Sequence, residues 1–413
     1  MTSASPDPEA EPPRGTLALL RDPAFGPFMG GKLLSSGGMW VQNLAAAVLM
    51  FRLTESAVMV GMVSVLQFVP LLLFSLWAGA LSDRVDRRRM LMVGRSISGL
   101  SVAVLAALLF ADESLVGPAV LLVTVFAMGS GFAISNPAMQ ALIPALVRKA
   151  DLEQALAVNA AAPSLARTVG PAVGAGLLLV GGPAAAFAVA ASGHFVFAGV
   201  LVFVRARPHI RPASRPSVLG GLRYLLGDRK AGLLVLGVAM LGFGADPVVT
   251  LTPSLAAGLG GGDAVVGLFA SAFGVGAVTL TLTFSQLRQH VSLRMVGIAG
   301  FWVLAAGLAV VAVAPVIAVG AAGFYVAGAG FMMATVALNT RIQRRVPDEL
   351  RGRVMALWGL AFLGSRPFAA LVNGSVADLL DVRSALTVAA VLTVASTPFA
   401  WVSYQRGDRA AGA

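Results

Sequence analysis

Four ionisable residues lie inside long apolar stretches of the sequence and are the first candidates for chemistry: Arg167, His194, Asp246 and Arg366. An ionisable side chain at the centre of a lipid bilayer costs about 2.5–3.5 kcal/mol on insertion scales, so its presence indicates a function. Asp246 is the only acid deep inside any such stretch, and it precedes Pro247, where a helix break exposes backbone polar groups. The carboxyl group of Asp246 is therefore the candidate for gaining and losing a proton, and a neighbouring Arg366 or Arg167 would favour its charged form.

Each of these residues has a competing interpretation. Asp246 and Arg366 fit a permanent structural ion pair, and Asp246 also fits direct contact with a bound molecule. His194 suits a hydrogen bond between helices as well as a proton relay. Arg167 also fits a position on the path of an anionic substrate. The sequence leaves these alternatives open.

Other polar residues in the apolar stretches are simpler to interpret. Lys32 and Arg95 lie near the ends of their stretches, where long cationic side chains extend to the membrane surface. Neutral polar side chains are candidates for lining a cavity and binding its contents by hydrogen bonds. These candidates are Gln42, Asn43, Gln67, Asn159, Tyr325 and Asn373.

The composition argues against enzymes and nucleic-acid binders. The chain has no cysteine, so it has neither a thiolate nucleophile nor a thiolate metal site, and its three histidines lack metal-ligand spacing. We therefore expect no catalytic residues, no metal and no cofactor. The formal charge of +11 is spread in small clusters between apolar segments, which argues against a nucleic-acid partner.

The apolar stretches are long enough to position these residues inside a membrane. Of the 413 residues 57% are hydrophobic and 12% charged, with a mean hydropathy of +0.85. A helix needs roughly 20 apolar residues to cross a bilayer, and twelve segments qualify. We predict an all-α integral membrane protein with spans near 30–51, 58–82, 90–111, 117–135, 156–180, 183–204, 231–257, 264–285, 295–314, 316–338, 354–377 and 384–403.

The positions of lysine and arginine predict the orientation. If the N-terminus is cytoplasmic, the inner loops hold most of the 30 Lys and Arg residues, and the outer loops hold only Arg52 and Arg383. Cytoplasmic loops of membrane proteins retain positive charge. We therefore expect a multi-pass protein of a bacterial plasma (inner) membrane with both termini in the cytoplasm.

The spans divide into two related halves. "NPAMQALIP" (136–144) follows span four and "NTRIQRRVP" (339–347) follows span ten, each read as a loop, and Pro171 and Pro367 occupy matching spans. The predicted domains are a disordered cytoplasmic tail (1–26), a six-helix bundle (27–204), a flexible basic linker (205–230), a second six-helix bundle (231–403) and a cytoplasmic C-terminal tail (404–413).

The inner loop between spans two and three carries the most specific motif, "GALSDRVDRRRML" (79–91). Anchoring by positive charge explains its arginines but not Gly79 or Asp83. The motif resembles the signature of the major facilitator superfamily. "NPAMQALIPALV", "ARTVGPAVG" and "VPDELRGRVMAL" further resemble the enterobactin-exporter and macrolide-efflux-like branch, and the likeness covers about 17–403.

The resemblance implies a major facilitator fold and a gate. In the family, the matching aspartate contacts the N-terminal end of span eleven and closes the cytoplasmic side when the cavity opens outward. This implies the latch role for Asp83, with Arg84 and Arg88 as partners, while Gly79 allows close backbone approach. The alternative is an exposed ion pair worth under about 1 kcal/mol.

"ARTVGPAVG" resembles the span-five motif of the superfamily's antiporters through Gly170, Pro171 and Gly174, although Ala166 replaces the family's first glycine. The motif favours export. A second departure concerns proton coupling, because Ala127 stands four residues before Gly131, where many superfamily antiporters have an arginine. Any proton relay through that arginine must be absent here or moved, for example to Arg167.

The resemblance implies a secondary active transporter: a monomeric, proton-coupled exporter of a small, partly apolar molecule such as a drug, a siderophore or a secondary metabolite. The expected partners are this substrate, protons and the lipid bilayer, with the proton gradient in place of a cofactor. A lipid or lysolipid flippase is the alternative within transport. A membrane sensor or scaffold that lost turnover is the alternative outside it.

Overall fold

The computed structural model describes residues 13–82, 84–204 and 218–402, and this part of the chain is built of helices without any strand. The N-terminal half contains α1 (Thr16–Leu20), α2 (Phe25–Thr54), α3 (Ala57–Ser82), α4 (Arg87–Ala111), α5 (Pro118–Leu146) and α6 (Leu152–Phe203). The C-terminal half contains α7 (Val218–Gly227), α8 (Arg229–Ala245), α9 (Pro247–Thr250), α10 (Thr252–Gly258), α11 (Asp263–His290), α12 (Leu293–Ala312), α13 (Ile317–Arg345), α14 (Asp348–Gly364), α15 (Arg366–Leu379), α16 (Val382–Ala395) and α17 (Thr397–Val402).

Eleven helical stretches in the described ranges are long and apolar enough to cross a membrane. One of them, Leu165–Phe203 in α6, holds two of the predicted spans and contains Gly182 with φ 64° and ψ −167°. Gly174 on one side of Gly182 packs at Val41 of α2, and Gly193 on the other side packs at Leu34. The two parts of α6 run in opposite directions along α2, so the chain reverses at Gly182, where glycine tolerates positive φ.

The helices form two bundles, one from each half of the sequence. In the N-terminal bundle, α2 packs along both parts of α6, and α4 packs against α5 and α6. In the C-terminal bundle, α13 packs against α11 and α12. Small residues allow these contacts, since a Cβ at Gly94 would lie 2.5 Å from the carbonyl oxygen of Gly131.

Two predicted spans of the C-terminal bundle are interrupted near their middle. The span predicted at 231–257 consists of α8, α9 and α10, and it breaks at Asp246, directly before Pro247. The span predicted at 354–377 consists of α14 and α15, and it breaks at Ser365, before Arg366 and Pro367. Proline cannot donate a backbone hydrogen bond, and it clashes with the preceding turn, so each break follows from the sequence.

Several predicted boundaries are corrected by the structure. The segment predicted as a disordered tail to residue 26 includes α1, and Leu19 and Phe25 are fully buried in the N-terminal bundle. The predicted linker from 205 to 230 includes α7, which packs on α14 through Gly221 against Arg353 and Leu357. These segments fold because they carry apolar faces that the bundles bury. Residues 1–12, 205–217 and 403–413 lie outside the described residues.

The segments predicted as loops at 136–144 and 339–347 are largely helical. Residues 136–144 belong to α5, and α13 continues to Arg345. Pro137 and Pro144 lie inside α5 without ending it. Apolar partners explain this, because Met139, Leu142 and Ile143 are buried against the bundle.

The two bundles meet chiefly at one end. We call the side where α2 begins the proximal face and the side where α2 ends the distal face. At the distal face Gly374 of α15 packs on Ala57 of α3, and a Cβ at Gly267 of α11 would lie 1.9 Å from the Cβ of Ala175 in α6. Hydrogen bonds and an ion pair between the bundles also lie at this face.

Two acidic residues of the C-terminal bundle make those polar contacts. Asp378, at the end of α15, accepts hydrogen bonds from the backbone N–H groups of Ala57 at 2.7 Å and Val58 at 3.1 Å, and from the hydroxyl of Ser56. Asp263, at the start of α11, forms an ion pair with Arg52. The distal ends of the bundles are therefore held together by both packing and polar contacts.

Candidate functional site

A cavity lies between the two bundles and encloses about 560 Å³ of empty space, part of it open to solvent. Its polar lining consists of Asn43, Arg167 and Arg366, and the remainder is aromatic and aliphatic. Residues from both bundles form the wall, so relative motion of the bundles would change its shape.

Arg366 enters the cavity from the break before α15. Arg366 is 5% exposed. Its guanidinium carbon lies 5.3 Å from the ring centre of Trp40 and 5.6 Å from that of Phe68. Both rings come from the opposite bundle. The Nε of Arg366 is buried and has no hydrogen-bond partner among the described residues.

Arg167 lines the same cavity from the first part of α6. Its guanidinium carbon lies 4.8 Å from the ring centre of Phe331 in the C-terminal bundle. Within the described ranges, the structure gives Arg167 neither an ion pair nor a hydrogen bond, so the aromatic ring is its principal partner. Each bundle thus sends an arginine onto an aromatic ring of the other bundle.

Asp246 lies behind the cavity wall, between Ala245 and Val248, which line it. It is 1% exposed, and the amide nitrogen of Asn373 donates a 2.9 Å hydrogen bond to its Oδ2. Its Oδ1 is buried without a hydrogen-bond partner in the described part of the chain. No ion pair within 4.0 Å joins it to Arg366 there, so the geometry differs from the permanent pair that the sequence left open.

His194 lies in the interior of the N-terminal bundle, away from Asp246 and the two cavity arginines. Its Nδ1 hydrogen-bonds the hydroxyl of Ser35 at 2.8 Å, and that hydroxyl also accepts from Arg95 at 3.1 Å. The histidine therefore links α6 to α2, which matches its interpretation as an interhelical hydrogen bonder. The proton-relay role stays a prediction.

The expectation that Lys32 and Arg95 extend to the membrane surface is wrong. They are 2% and 3% exposed. Lys32 donates to the side chain and backbone of Asn159, and Arg95 lies 5.7 Å from the ring centres of both Phe132 and Phe197. The bundle interior holds both cations because it supplies carbonyl oxygens and aromatic faces, which the sequence did not reveal.

Of the neutral polar residues predicted to line the substrate cavity, only Asn43 does so among the described wall residues. Gln42 and Gln67 line a separate pocket inside the N-terminal bundle. Asn159 binds Lys32, and Asn373 binds Asp246. Tyr325 is 36% exposed and borders neither pocket. Their facing depends on helix rotation, which a continuously apolar span does not specify.

The span-five motif packs α6 tightly on α2. A Cβ at Gly170 would lie 2.5 Å from the Cβ of Trp40, and one at Gly174 would lie 3.3 Å from the Cα of Val41. Pro171 lines the cavity. The motif therefore holds Arg167, one turn away, at the cavity wall; its link to antiport stays a prediction.

The central residue of the charged turn, Asp83, lies outside the described residues, so the latch contact stays a prediction. Arg84 is exposed, and a Cβ at Gly79 would have no neighbour within 4 Å. Arg88 donates to the carbonyl oxygens of Val202 at 3.3 Å and Val204 at 3.2 Å, which terminate α6 of its own bundle. A basic side chain suits these carbonyls at the end of a helix.

Sequence reasoning missed the aromatic part of the cavity. Phe273, Phe331 and Phe362 form a continuous wall, with ring centres 5.6 Å apart in the first pair and 6.0 Å apart in the second. Trp40 faces them from the other bundle. The chain has 22 phenylalanines, most in apolar spans, so composition alone could not distinguish these rings.

Two pseudo-symmetric helical bundles around a central cavity are the architecture of major facilitator transporters. The chain belongs to the transmembrane secretion effector family of this superfamily, whose sequence profile matches residues 14–406. It is a membrane transporter and not an enzyme.

Relatives and solved structures agree with this assignment. The enterobactin exporter EntS of Citrobacter koseri is 28% identical over 385 residues, covering 89% of each chain. The enterobactin exporter of Salmonella typhimurium is 28% identical over 382 residues, covering 89% of this chain and 90% of the relative.

The fold resembles an inward-facing bacterial homologue of the human lysosomal transporter Spinster, with a TM-score of 0.75 and 13% identity over 91% of this chain and 95% of the other. It also resembles a D-xylose–proton symporter, with a TM-score of 0.69 and 17% identity over 92% and 96% of the chains.

Proposed function

We propose that the chain is a proton-coupled exporter of a small, partly apolar, siderophore-like molecule. The observation that carries this proposal is the central cavity, which is walled by both bundles and has a buried carboxyl group, Asp246, directly behind its lining. The similarity to enterobactin exporters supports both the direction of transport and the kind of substrate.

The two faces of the protein would open in turn. The distribution of lysine and arginine supports a cytoplasmic location of the proximal face and both termini, and the similarity to enterobactin exporters supports a bacterial inner membrane. Packing and polar contacts hold the bundles together at the distal face, which supports a conformation that receives substrate from the cytoplasm. Rocking of the bundles about the cavity would then release it outside.

Asp246 is the proposed proton carrier. A transported proton must bind at a group whose surroundings change between the two conformations. Asp246 lies at a helix break, where its Oδ1 lacks a partner among the described residues and Arg366 lines the adjoining wall. Motion of α15 would move both Arg366 and Asn373 relative to this carboxyl group and so change its affinity for a proton.

The charged turn is the proposed cytoplasmic latch. Asp83 would engage the start of α14 only when the proximal face closes. Gly79 has open space around it in the present conformation, which leaves room for this approach. Arg84 and Arg88 are the neighbouring cations that would reinforce the closed turn. We further propose that the transporter works as a monomer, since each chain has its own complete cavity.

The test is gradient-driven transport in proteoliposomes. Wild type should accumulate labelled siderophores, with enterobactin as the first of a panel, when a proton gradient is imposed. Asp246→Asn should lose this accumulation and keep the exchange of labelled for unlabelled substrate, because exchange needs no net proton movement. Asp381→Asn is the matched control, since Asp381 caps α16 through Ser384, far from the cavity.

The two outcomes that matter are distinct. Accumulation that persists unchanged in Asp246→Asn would remove Asp246 from the coupling role. Wild-type vesicles that move none of the panel under any gradient would contradict the export of a siderophore-like molecule.

A further inference from the structure

Two arginines line the cavity without a carboxylate of the described residues at ion-pair distance. Arg167 and Arg366 both line it, and the described residues supply neither with an ion pair. The nearest acid, Asp246, is held by Asn373 behind the wall. Even if Asp246 balances one guanidinium at a distance, the other remains uncompensated. Buried charge is costly unless it is paired, so an arrangement of this kind is suited to a ligand that brings the missing negative charge.

The aromatic rings determine how the arginines can bind. The ring of Phe331 is 4.8 Å from the Arg167 guanidinium, and the rings of Trp40 and Phe68 are 5.3 Å and 5.6 Å from that of Arg366. Stacked rings fix a guanidinium without using its N–H groups, which point outward in the guanidinium plane. The donors remain available to an acceptor that approaches at the edge.

Arg366 provides direct evidence of such an available donor. Its residue is 5% exposed, and its Nε is buried without a partner in the described part of the chain. An unsatisfied buried N–H group costs free energy unless a ligand or water occupies it. The Nε and an adjacent Nη form the fork that binds a planar carboxylate through two parallel hydrogen bonds.

The rest of the wall defines the body of the ligand. Phe273, Phe331 and Phe362 form one side, and Trp40 faces them. Aromatic rings in offset or tilted contact favour a flat apolar partner. The wall therefore offers an apolar slot next to two cationic groups.

We propose that the cavity binds an organic carboxylate with an aromatic body, the carboxylate on Arg366 and Arg167 and the body against the phenylalanine wall. This proposal rests on the proposed function in one respect: a carboxylate that binds here is a transported substrate only if the protein is an exporter. It names the chemical class of that substrate. Binding itself requires no proton gradient, so it can be measured separately from transport.

Three probes that share one ring system and differ in charge provide the test: 2-naphthoate, neutral 2-naphthamide and cationic 2-naphthylmethylammonium. Each is measured by equilibrium dialysis against the full-length protein in phosphatidylcholine nanodiscs, with empty nanodiscs subtracted. Wild type should bind naphthoate at least about tenfold more tightly than the amide, and the ammonium probe most weakly, since charge-assisted hydrogen bonds add about one factor of ten or more.

Variants then locate the charge preference. Arg366→Gln should weaken naphthoate binding about 10- to 100-fold and leave the amide within about threefold. Arg366→Lys should give an intermediate loss, because lysine keeps the charge without the fork. Arg294→Gln is the matched control: Arg294 also lies over a ring, at 4.0 Å from the centre of Trp401, but it does not line the cavity.

Equal binding of the three probes to wild type, or no naphthoate binding up to its solubility limit, would overturn the proposal. So would Arg167→Gln and Arg366→Gln variants that both bind naphthoate like wild type. The ranking of probes on wild type decides the matter even if a variant fails to fold. Gradient-driven transport of an uncharged siderophore together with equal probe binding would refute the carboxylate site while leaving the exporter function intact.

Discussion

Removing the carboxylate of Asp378 should shift the protein towards conformations that are open at the distal face. This side chain reaches from α15 of one bundle to the first turn of α3 in the other, where it accepts from Ala57, Val58 and Ser56. It acts as a helix cap supplied by the opposite bundle. The contact exists only while the distal face is closed, so its free energy biases the equilibrium between conformations.

The magnitude follows from the contacts. An N-cap contributes about 0.5–2 kcal/mol, and an anion at a helix N-terminus adds about 0.3–1 kcal/mol when exposed to solvent. Together these give about 0.8–3 kcal/mol, so Asp378→Ala should change the ratio of conformers by about 4- to 150-fold. Asp378→Asn should change it less, since asparagine caps nearly as well as aspartate. Arg52→Gln should have the smallest effect, because the Arg52 side chain is 44% exposed and a surface ion pair contributes about 0.2–1 kcal/mol.

The assay is the distance between spin labels in the full-length protein in nanodiscs. The chain has no cysteine, so pairs can be introduced without removing any. Leu115→Cys with Val316→Cys reports on the distal face from two exposed positions. Asp378→Ala should enlarge the population with the longer distal distance. The reasoning would be refuted if Arg52→Gln shifted the distribution more than Asp378→Ala, or if neither changed it.

Three further outcomes are expected. Gly267→Val should open the distal face with little loss of thermal stability, because its nearest contact, Ala175, belongs to the other bundle. Gly300→Val should instead lower the unfolding temperature, because the added side chain clashes within its own bundle. Spin-label distances and thermal unfolding distinguish the two effects. Arg148 and Arg14 hold the pKa of the buried Asp151 carboxyl below its usual range. The contribution of this carboxylate to the stability of the fold should therefore be complete above about pH 4 and be lost as the pH falls through the lowered pKa. In that acidic range the unfolding temperatures of wild type and Asp151→Asn should converge.

The third expected outcome concerns Asp83 and Asp378 together. The two single substitutions, Asp83→Asn and Asp378→Ala, should shift the ratio of conformers in opposite directions, and the double variant should return it towards the wild-type value. Shifts of the two single variants in the same direction would contradict this prediction.

The sequence was sufficient for the class of fold because hydrophobic length and charge placement are strong constraints in a bilayer. It also located the helix break at Asp246, which precedes Pro247, whereas the break before Arg366 and Pro367 was not predicted. At each break a charged residue lies near the middle of a span. The reversal at Gly182 falls between the spans predicted at 156–180 and 183–204. The folding of α1 and α7 was beyond the sequence, because short apolar segments acquire structure only from the surface they pack on.

The site could be predicted only in part, for a physical reason. In a span that is apolar all round, no hydrophobic face indicates which side chains point inward. Asn43 and Gln42 are adjacent in α2, yet only Asn43 borders the central cavity. Lys32 resembled a surface anchor by position and is buried on Asn159. The sequence indicates how deep in the membrane a residue lies, but it does not indicate towards which neighbour its side chain points.

The pairing of α3 with α14 and α15 connects the proposed gate to the cavity. These segments run antiparallel, since Leu72 of α3 meets Gly364 and Gly61 meets Ala370 further towards the distal face. At the distal end an aspartate finishing α15 caps the start of α3, and the proposed proximal latch is the mirror arrangement, with Asp83 finishing α3 and engaging the start of α14. A rigid tilt of one helix against the other cannot close both ends together. Arg366 lies in this helix pair between the two proposed latches. An anion bound in the cavity would therefore act on the same helix pair whose tilt determines which face is open.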